Sequence, residues 1–433
     1  MGCLGLCKKG VAVEIREVYR CRICGNEDLT PILDLGKMPL SGTFPGPGEA
    51  DPPKGPLYLV KCNDAGSRHH CGLVQLKHSV APDYMYRENT YGYRSGINRT
   101  MTRHLEDIAA NVERLLGLQP GDMVLDIGSN DGTLLKSYRV SGLRRVGIDP
   151  TGEQFRSHYP EGIELISDYF SERVFSEAFG DVGAKVITSI AMFYDLEDPV
   201  AFAADVRKVL EPEGIWVLEQ SYMPTMLATA SFDTVCHEHL EYYSLKQIEW
   251  IMEKNDFRIV DVQFNDTNGG SFQIVVTPAE SSLRTNVPQL DAVRALERER
   301  RLGTEGPYAE FRARVHRVRD TLGSFLREEK KKGKSVFVYG ASTKGNIMLT
   351  WCGIDGSIVT AAADRNPEKW GRRTPGTNIP IISEEEARAR NPDYFLVLPW
   401  HFLSEFIERE ADFLASGGRF VVPLPEFNVI GEE

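Results

Sequence analysis

The sequence predicts an α/β protein with two strand–helix units and a small cysteine-bearing module ahead of them. Three observations carry that expectation. Val124 to Leu135 (VLDIGSNDGTLL) reads as a short apolar strand, a tight glycine turn and a helix start. Behind it, apolar runs alternate with helical patterns, as a doubly wound parallel sheet requires. Near the C-terminus, Ser335–Tyr339 followed by Gly340–Asn346 repeats the strand–turn–helix signature.

Bulk properties bound the rest. A chain of 433 residues is too long for one typical domain. A net charge of −12 argues against a general nucleic-acid footprint, so no nucleic-acid partner is expected. No apolar run reaches membrane-spanning length, and no membrane association is expected. The N-terminal stretch lacks the long apolar core and cleavage site of a signal peptide. Gly2 begins a myristoylation-like pattern, but Cys7 stands where that pattern needs Ser or Thr. The expected location is cytoplasmic. Eight cysteines in so long a chain do not suggest a disulfide scaffold.

Residues 1–18 read as a flexible leader, with Cys3 and Cys7 outside any ligand set. Residues 19–82 read as a module held by metal. Cys21 and Cys24 form a C-x-x-C knuckle before Gly25, and Cys62 and Cys71 supply a second pair before Gly72. Two thiolate pairs suit a tetrahedral structural zinc. His69 or His70 is an alternative to one of the second pair. The Pro- and Gly-rich stretch between the pairs can build little core of its own, so the metal would supply much of the folding energy.

Residues 83–280 read as a nucleoside-cofactor domain. Tyr91 and Tyr93 lie in a Tyr- and Arg-rich loop, where they either line a substrate site or pack the head onto the next domain. Helical periodicity begins near Asn98. In the glycine turn, Asp126 is an acceptor beside Gly128, Ser129, Asn130 and Gly132. Arg144–Asp149 is the second strand, and Asp149 at its end suits two ribose hydroxyls. The spacing is not G-x-G-x-x-G, so a dinucleotide is the weaker reading. Asp168-Tyr169 offers an acid and an aromatic ring to an adenine. Ala184–Ser189 and Gly214–Gln220 are further strands, and Gly269-Gly270 opens a late one. Between them, Phe232–Ser244 (FDTVCHEHLEYYS) gathers His237, Glu238 and His239. The spacing is not that of H-E-x-x-H, so a zinc-protease site is excluded. A histidine near its normal pKa with a carboxylate neighbour is a natural general base, and spacing alone leaves His237 and His239 both open. Ser244 reads as a helix cap.

Residues 281–333 are strongly charged and helical, and read as a solvated connector. Residues 334–433 form the second α/β unit. The helix start after Gly340, with Lys344 beside it, makes an anion site. The turn lacks Walker spacing and is not a P-loop.

The turn around Asp126 resembles the first motif, D-x-G-x-x-D-G, of class I S-adenosylmethionine (SAM) methyltransferases. The order of YRCRICG, LDIGSNDGTLL, CHEHLEYYS and YGASTKGN with DRNPEKWGRRTPGT resembles the sugar-nucleotide C-methyltransferases that make branched-chain deoxysugars such as tetronitrose and mycarose. The resemblance covers nearly the whole chain after residue 18. It implies a zinc-binding head, a class I SAM-binding Rossmann-like domain, and a C-terminal Rossmann-like domain for the nucleotide sugar. It implies SAM as cofactor, a structural zinc, and methyl transfer to C-3 of a 4-keto-6-deoxy sugar on a nucleoside diphosphate, dTDP- or GDP-linked. His239 is then the base, Glu238 orients it or contacts the sugar, and Tyr91 or Tyr93 steadies the developing oxyanion. Ser342, Lys344, Asn346, Arg365 and Arg372 fall in the motifs that would hold the nucleotide sugar. A monomer or homodimer is expected.

The chain departs from the family pattern in three places. Asp195 stands where some members carry histidine, Cys236 where some carry tyrosine, and the second cysteine pair is spread out. The auxiliary acid and the stereochemistry depend on the first two. Two other functions are compatible with the same motifs: different chemistry on a nucleotide sugar, such as keto-reduction, and non-catalytic binding. Only methylation consumes SAM.

Overall fold

The computed structural model describes residues 5–6, 12–40, 42–63, 70–87 and 92–431. At its centre is a seven-stranded sheet. Its spatial order is Ile163–Ile166, Arg144–Ile148, Met123–Ile127, Ala184–Ile190, Leu210–Ser221, Ser271–Pro278 and Phe257–Asn265. The first five strands are parallel, and the last two join antiparallel. The expected wholly parallel sheet is therefore mixed at one edge. Phe257–Asn265 alternates apolar and polar residues only in part, and its strand pairing is what places it beside Ser271–Pro278. Met123–Ile127 is buried along its whole length, as the apolar run requires. The strand order reverses at Met123–Ile127, so a crevice opens beyond its C-terminal end.

Helix Arg99–Leu116 crosses near this crevice. The Asn98 side chain accepts from the amides of Thr100 and Met101 at its start, and Gly117 ends it in the left-handed region. Its periodic face buries Met101, Leu105, Ile108 and Val112.

The C-terminal unit is a six-stranded sheet ordered Ile381–Ser383, Ala361–Asp364, Val336–Tyr339, Tyr394–Val397, Arg419–Val422 and Asn428–Ile430, parallel except for the last strand. The charged connector is less solvated than its composition suggests. Helix Gly306–Lys331 buries Tyr308, Phe311, Val315, Val318, Leu322 and Leu326 along one stripe. That stripe joins a core shared with Leu33 and Leu59 of the head and Val336 of the C-terminal sheet.

In the head, Leu29–Pro39 and Lys54–Cys62 pair antiparallel, flanking the Pro- and Gly-rich stretch. Val74–Leu76 pairs with Lys54–Cys62, and Glu241–Tyr242 of the central domain pairs with Val74–Leu76. Within the expected leader, Ile15–Glu17 pairs with His78–Val80 and Ile15 is buried. Cys3 and Cys7 lie outside the described residues. Among those residues, no helix is long and apolar enough to cross a membrane.

Candidate active site

The four predicted cysteines converge. Their sulfurs all lie within 4.8 Å of one another, with Cys21 3.3 Å from Cys71 and Cys24 3.6 Å from Cys62. A tetrahedron with Zn–S bonds of about 2.3 Å has edges of about 3.8 Å, so these four thiols fit a zinc ion. All are free of disulfides, and the Asn26 side-chain amide donates to Cys62 Sγ at 3.4 Å, an outer contact that orients a ligand. His69 lies outside the described residues, and His70 is not one of the clustered groups.

The crevice beyond Met123–Ile127 is a cavity of about 290 Å³. Asp126, Gly128, Ser129, Asn130, Asp149 and Tyr169 all line it. Asp126 accepts from the Thr188 hydroxyl at 2.6 Å, and burial pushes its pKa up to about 7. Asp149 caps the turn from below. It accepts from the Asn130 amide at 2.7 Å and from the Thr151 amide at 2.6 Å. Gly132 sits at φ +72° with Tyr159 against it: an added Cβ would stand 2.9 Å from that ring. Gly132 therefore shapes the turn and does not line the cavity. The Asn130 side chain accepts from the Ser95 amide at 3.0 Å and donates to the Tyr93 carbonyl at 3.2 Å. It thus holds the Tyr93 loop over the cavity.

Asp168 departs from its expected role beside an adenine. Its carboxylate pairs with Arg87 at the rim, outside this cavity, while Tyr169 lies inside with the Arg87 guanidinium 4.5 Å from its ring centre. The charged partner that draws Asp168 outward is remote in sequence.

A second cavity, of about 350 Å³, lies between the central and C-terminal units. Glu238, His239, Ser342, Lys344 and Arg365 line it. Tyr93, Met101, Ala191 and Asp195 line both cavities, so the two meet there. Tyr93 is 48 % exposed, yet its hydroxyl end is desolvated, which pushes its pKa up to about 12. Tyr91 lies outside the described residues.

Within CHEHLEYYS, neighbouring residues face different ways. The His239 Nδ1–H donates to the Thr234 carbonyl at 2.9 Å. A carbonyl can only accept, so this contact puts the proton on Nδ1 and leaves Nε2 as a lone pair. The Tyr194 ring packs 4.2 Å from the imidazole, centre to centre. Burial and the Lys344 charge lower the His239 pKa to about 3, so the ring is neutral at any ordinary pH. That is well below the unperturbed value expected of a general base. Glu238, beside it, is pushed up to about 7 by burial, and the Cys236 thiol donates to it at 3.8 Å. His237 is buried and turned away: its Nε2–H donates to the Gly55 carbonyl at 3.1 Å, and it does not line the second cavity. Of the two histidines that spacing left open, the cavity receives only His239. Ser244 caps the following helix in a capping box with Gln247.

In the C-terminal unit, the Ser342 hydroxyl caps helix Thr343–Cys352 by accepting from the Gly345 amide at 3.0 Å. Lys344 Nζ donates to the Asn268 carbonyl at 3.1 Å, which ties the two units together across the cavity. Two expected substrate residues do not line it. Asn346 leaves its side-chain oxygen buried without a hydrogen-bond partner among the described residues. Arg372 donates to the Phe44 carbonyl at 3.0 Å and to the Glu368 carbonyl at 2.9 Å, and so clasps the head. Sequence reasoning missed Lys369 and Arg409, two further cations of the cavity lining. It noted Asp195 only as a departure. The Tyr86 hydroxyl donates to Asp195 Oδ2 at 3.0 Å, and Oδ1 is buried without a hydrogen-bond partner among the described residues. Burial, then the neighbouring Glu238, raises the Asp195 pKa well above the carboxylate range.

Three family models match in succession: a zinc binding domain over residues 21–86, a methyltransferase domain over residues 99–262, and a C-methyltransferase C-terminal domain over residues 266–425. C-methyltransferase NovU of Streptomyces niveus is 32% identical over 424 residues, covering 97% of this chain and 98% of its own. Among solved structures, a Haloferax volcanii methyltransferase in complex with the Trm112 activator overlays 42% of this chain and 95% of its own, at 15% identity and a TM-score of 0.34. The magnesium protoporphyrin IX methyltransferase of Synechocystis PCC 6803, with SAM bound, overlays 41% and 79% at 12% identity and a TM-score of 0.30. Overlaps of that size carry no further argument.

Proposed function

This chain belongs to the SAM-dependent C-methyltransferase family, and from that premise we propose that it methylates C-3 of a 4-keto-6-deoxy sugar carried on a nucleoside diphosphate. Its cofactors are SAM and a structural zinc ion. The observation that carries the proposal is the meeting of the two cavities at Tyr93, Met101, Ala191 and Asp195, with His239 and Glu238 on the second cavity's wall. SAM, when bound, supplies the electrophilic methyl group that a sugar carbon takes.

The residues divide the work. Asp126, Gly128, Ser129 and Asp149 bind the cofactor, with Tyr169 against its base. Lys344 and Arg365 face the diphosphate, with Ser342 shaping the helix start beside it. His239 Nε2 removes the C-3 proton, which is acidic because it lies alpha to the ketone. Neutral His239 is in the right protonation state for that step. The oxyanion that develops at C-4 needs a donor, and the Tyr93 hydroxyl is the group we assign. Glu238 orients the sugar beside the base. The head at residues 19–82, the cofactor domain at 83–280, the connector at 281–333 and the nucleotide-sugar domain at 334–433 are the units of this reading. A keto-reductase would need a hydride donor in place of SAM, and the glycine spacing argues against a dinucleotide.

Two expectations follow for the ligands. Asp149→Ala is expected to weaken SAM binding by about 1.5–3 kcal/mol, the range for hydrogen bonds to a charged group. Calorimetry that gives wild-type affinity for this variant removes Asp149 from the cofactor site. Lys344→Ala is expected to raise the apparent substrate constant while SAM affinity holds, because Lys344 lines only the second cavity. A fall in SAM affinity instead would mean the two ligands are exchanged between the cavities.

A further inference from the structure

One charged side chain runs from the zinc knuckle toward the catalytic loop. Arg22 lies between Cys21 and Cys24, and its guanidinium runs away from the thiols into the protein. Nη1 donates to the Leu76 carbonyl at 2.7 Å and Nη2 to the Ser79 hydroxyl at 2.8 Å. Its Nε faces Glu241 Oε1 at 3.5 Å and Glu197 Oε2 at 3.9 Å. The Arg22 and Glu241 side chains are 2% and 0% exposed, and neither Glu241 oxygen has a hydrogen-bond partner among the described residues. Glu241 is two residues beyond His239, and Glu197 is two beyond Asp195.

Other contacts fasten the same loop to the head. Glu241–Tyr242 pairs with Val74–Gln75, the Leu76 amide donates to the Leu240 carbonyl at 2.8 Å, and the Gln247 side chain donates to the Cys71 carbonyl at 2.8 Å. The first two are backbone ties that many residues would allow, and the third is a neutral amide contact from the helix that follows. Arg22 is different: its two Nη hydrogen bonds anchor it within the head, and its buried, permanently charged guanidinium turns Nε toward a carboxylate from each of the two loops lining the cavities.

We propose that Arg22 is a positioning residue, which through Glu241 and Glu197 holds the His239 and Asp195 loops in register with the zinc-bound knuckle. The zinc is then more than a staple for the head. Its knuckle fixes where the base stands, by way of the side chain between its first two ligands. The proposal rests on the reading that the 237–242 loop carries the base.

The test is the paired variant Arg22→Met with Glu241→Met, which replaces a buried ion pair by apolar groups of similar size and avoids stranding one charge. It is expected to retain one zinc and wild-type SAM affinity and stoichiometry. It is expected to lose about 10–100-fold in kcat, the usual cost of losing an outer contact, with the sugar KM little changed. Hydrogen exchange of residues 193–198 and 237–242 should quicken while the zinc stays bound. Arg22→Lys, which keeps the charge but not the fork, should fold and give an intermediate loss. Wild-type kcat in the paired variant overturns the proposal, as does unchanged exchange in both loops. If the paired variant fails to fold, Arg22→Lys with wild-type turnover and exchange overturns it equally. If wild-type enzyme methylates no keto sugar, the functional reading fails instead, and the exchange measurement still decides the role of Arg22.

Discussion

His239→Asn is expected to lower turnover by about 10²–10⁴, the usual worth of a general base. Folding and SAM affinity should hold, because His239 lines the second cavity and not the first. Asparagine can keep a donor near the Thr234 carbonyl, so the loop retains its inner anchor while the basic lone pair is lost. The variant should also lose any exchange of solvent deuterium into C-3 of the keto sugar that wild-type enzyme shows. His237→Asn should behave otherwise. His237 is buried against the Gly55 carbonyl, so its substitution should lower stability and leave the turnover of folded enzyme largely intact. Normal turnover in His239→Asn, with loss in His237→Asn, would move the base to His237.

The second large effect is that of the metal. Freshly purified protein is expected to hold about one zinc per chain, and Cys24→Ala to lose it. In small zinc modules the metal contributes about 10–16 kcal/mol of apparent binding free energy at neutral pH. That is comparable to the total stability of an ordinary domain, about 5–15 kcal/mol. The head shares its core with the connector helix and the C-terminal sheet, so its loss should be felt beyond residues 19–82. Thermal unfolding followed by circular dichroism should show a strongly lowered transition in Cys24→Ala and in chelator-treated protein. Metal-free protein of wild-type stability would contradict the zinc site.

Local chemistry was legible in the sequence. The glycine turn after Asp126, the helix cap at Ser244 and the cysteine pairs each lie within a few residues or follow a fixed ligand rule, and each is found as read. What was not legible depends on partners far away in the chain. The outward pull of Arg87 on Asp168, the bond from Tyr86 to Asp195 and that from His237 to Gly55 span the fold. No periodicity announces them. The connector misled for a related reason. Its charge hides a stripe from Tyr308 to Leu326 whose i, i+3 and i+4 spacing marks a buried face. The His239 pKa was misjudged because burial and Lys344, more than a hundred positions away in sequence, set it together. The contrast between His237 and His239 shows the same limit: two residues of one type, two positions apart, differ in role only because the fold turns one toward the head and the other toward the cavity.

The central claim is carbon methylation at C-3, and one measurement tests it most directly. Purified protein is incubated with SAM carrying an isotopically labelled methyl group and with dTDP- and GDP-linked 4-keto-6-deoxy sugars. Products are read by mass spectrometry and nuclear magnetic resonance. The account predicts one methyl group gained per S-adenosylhomocysteine formed, with the label bonded to C-3 and the C-3 proton lost. A label bonded to oxygen, a label at another carbon, or a sugar converted without S-adenosylhomocysteine would contradict it.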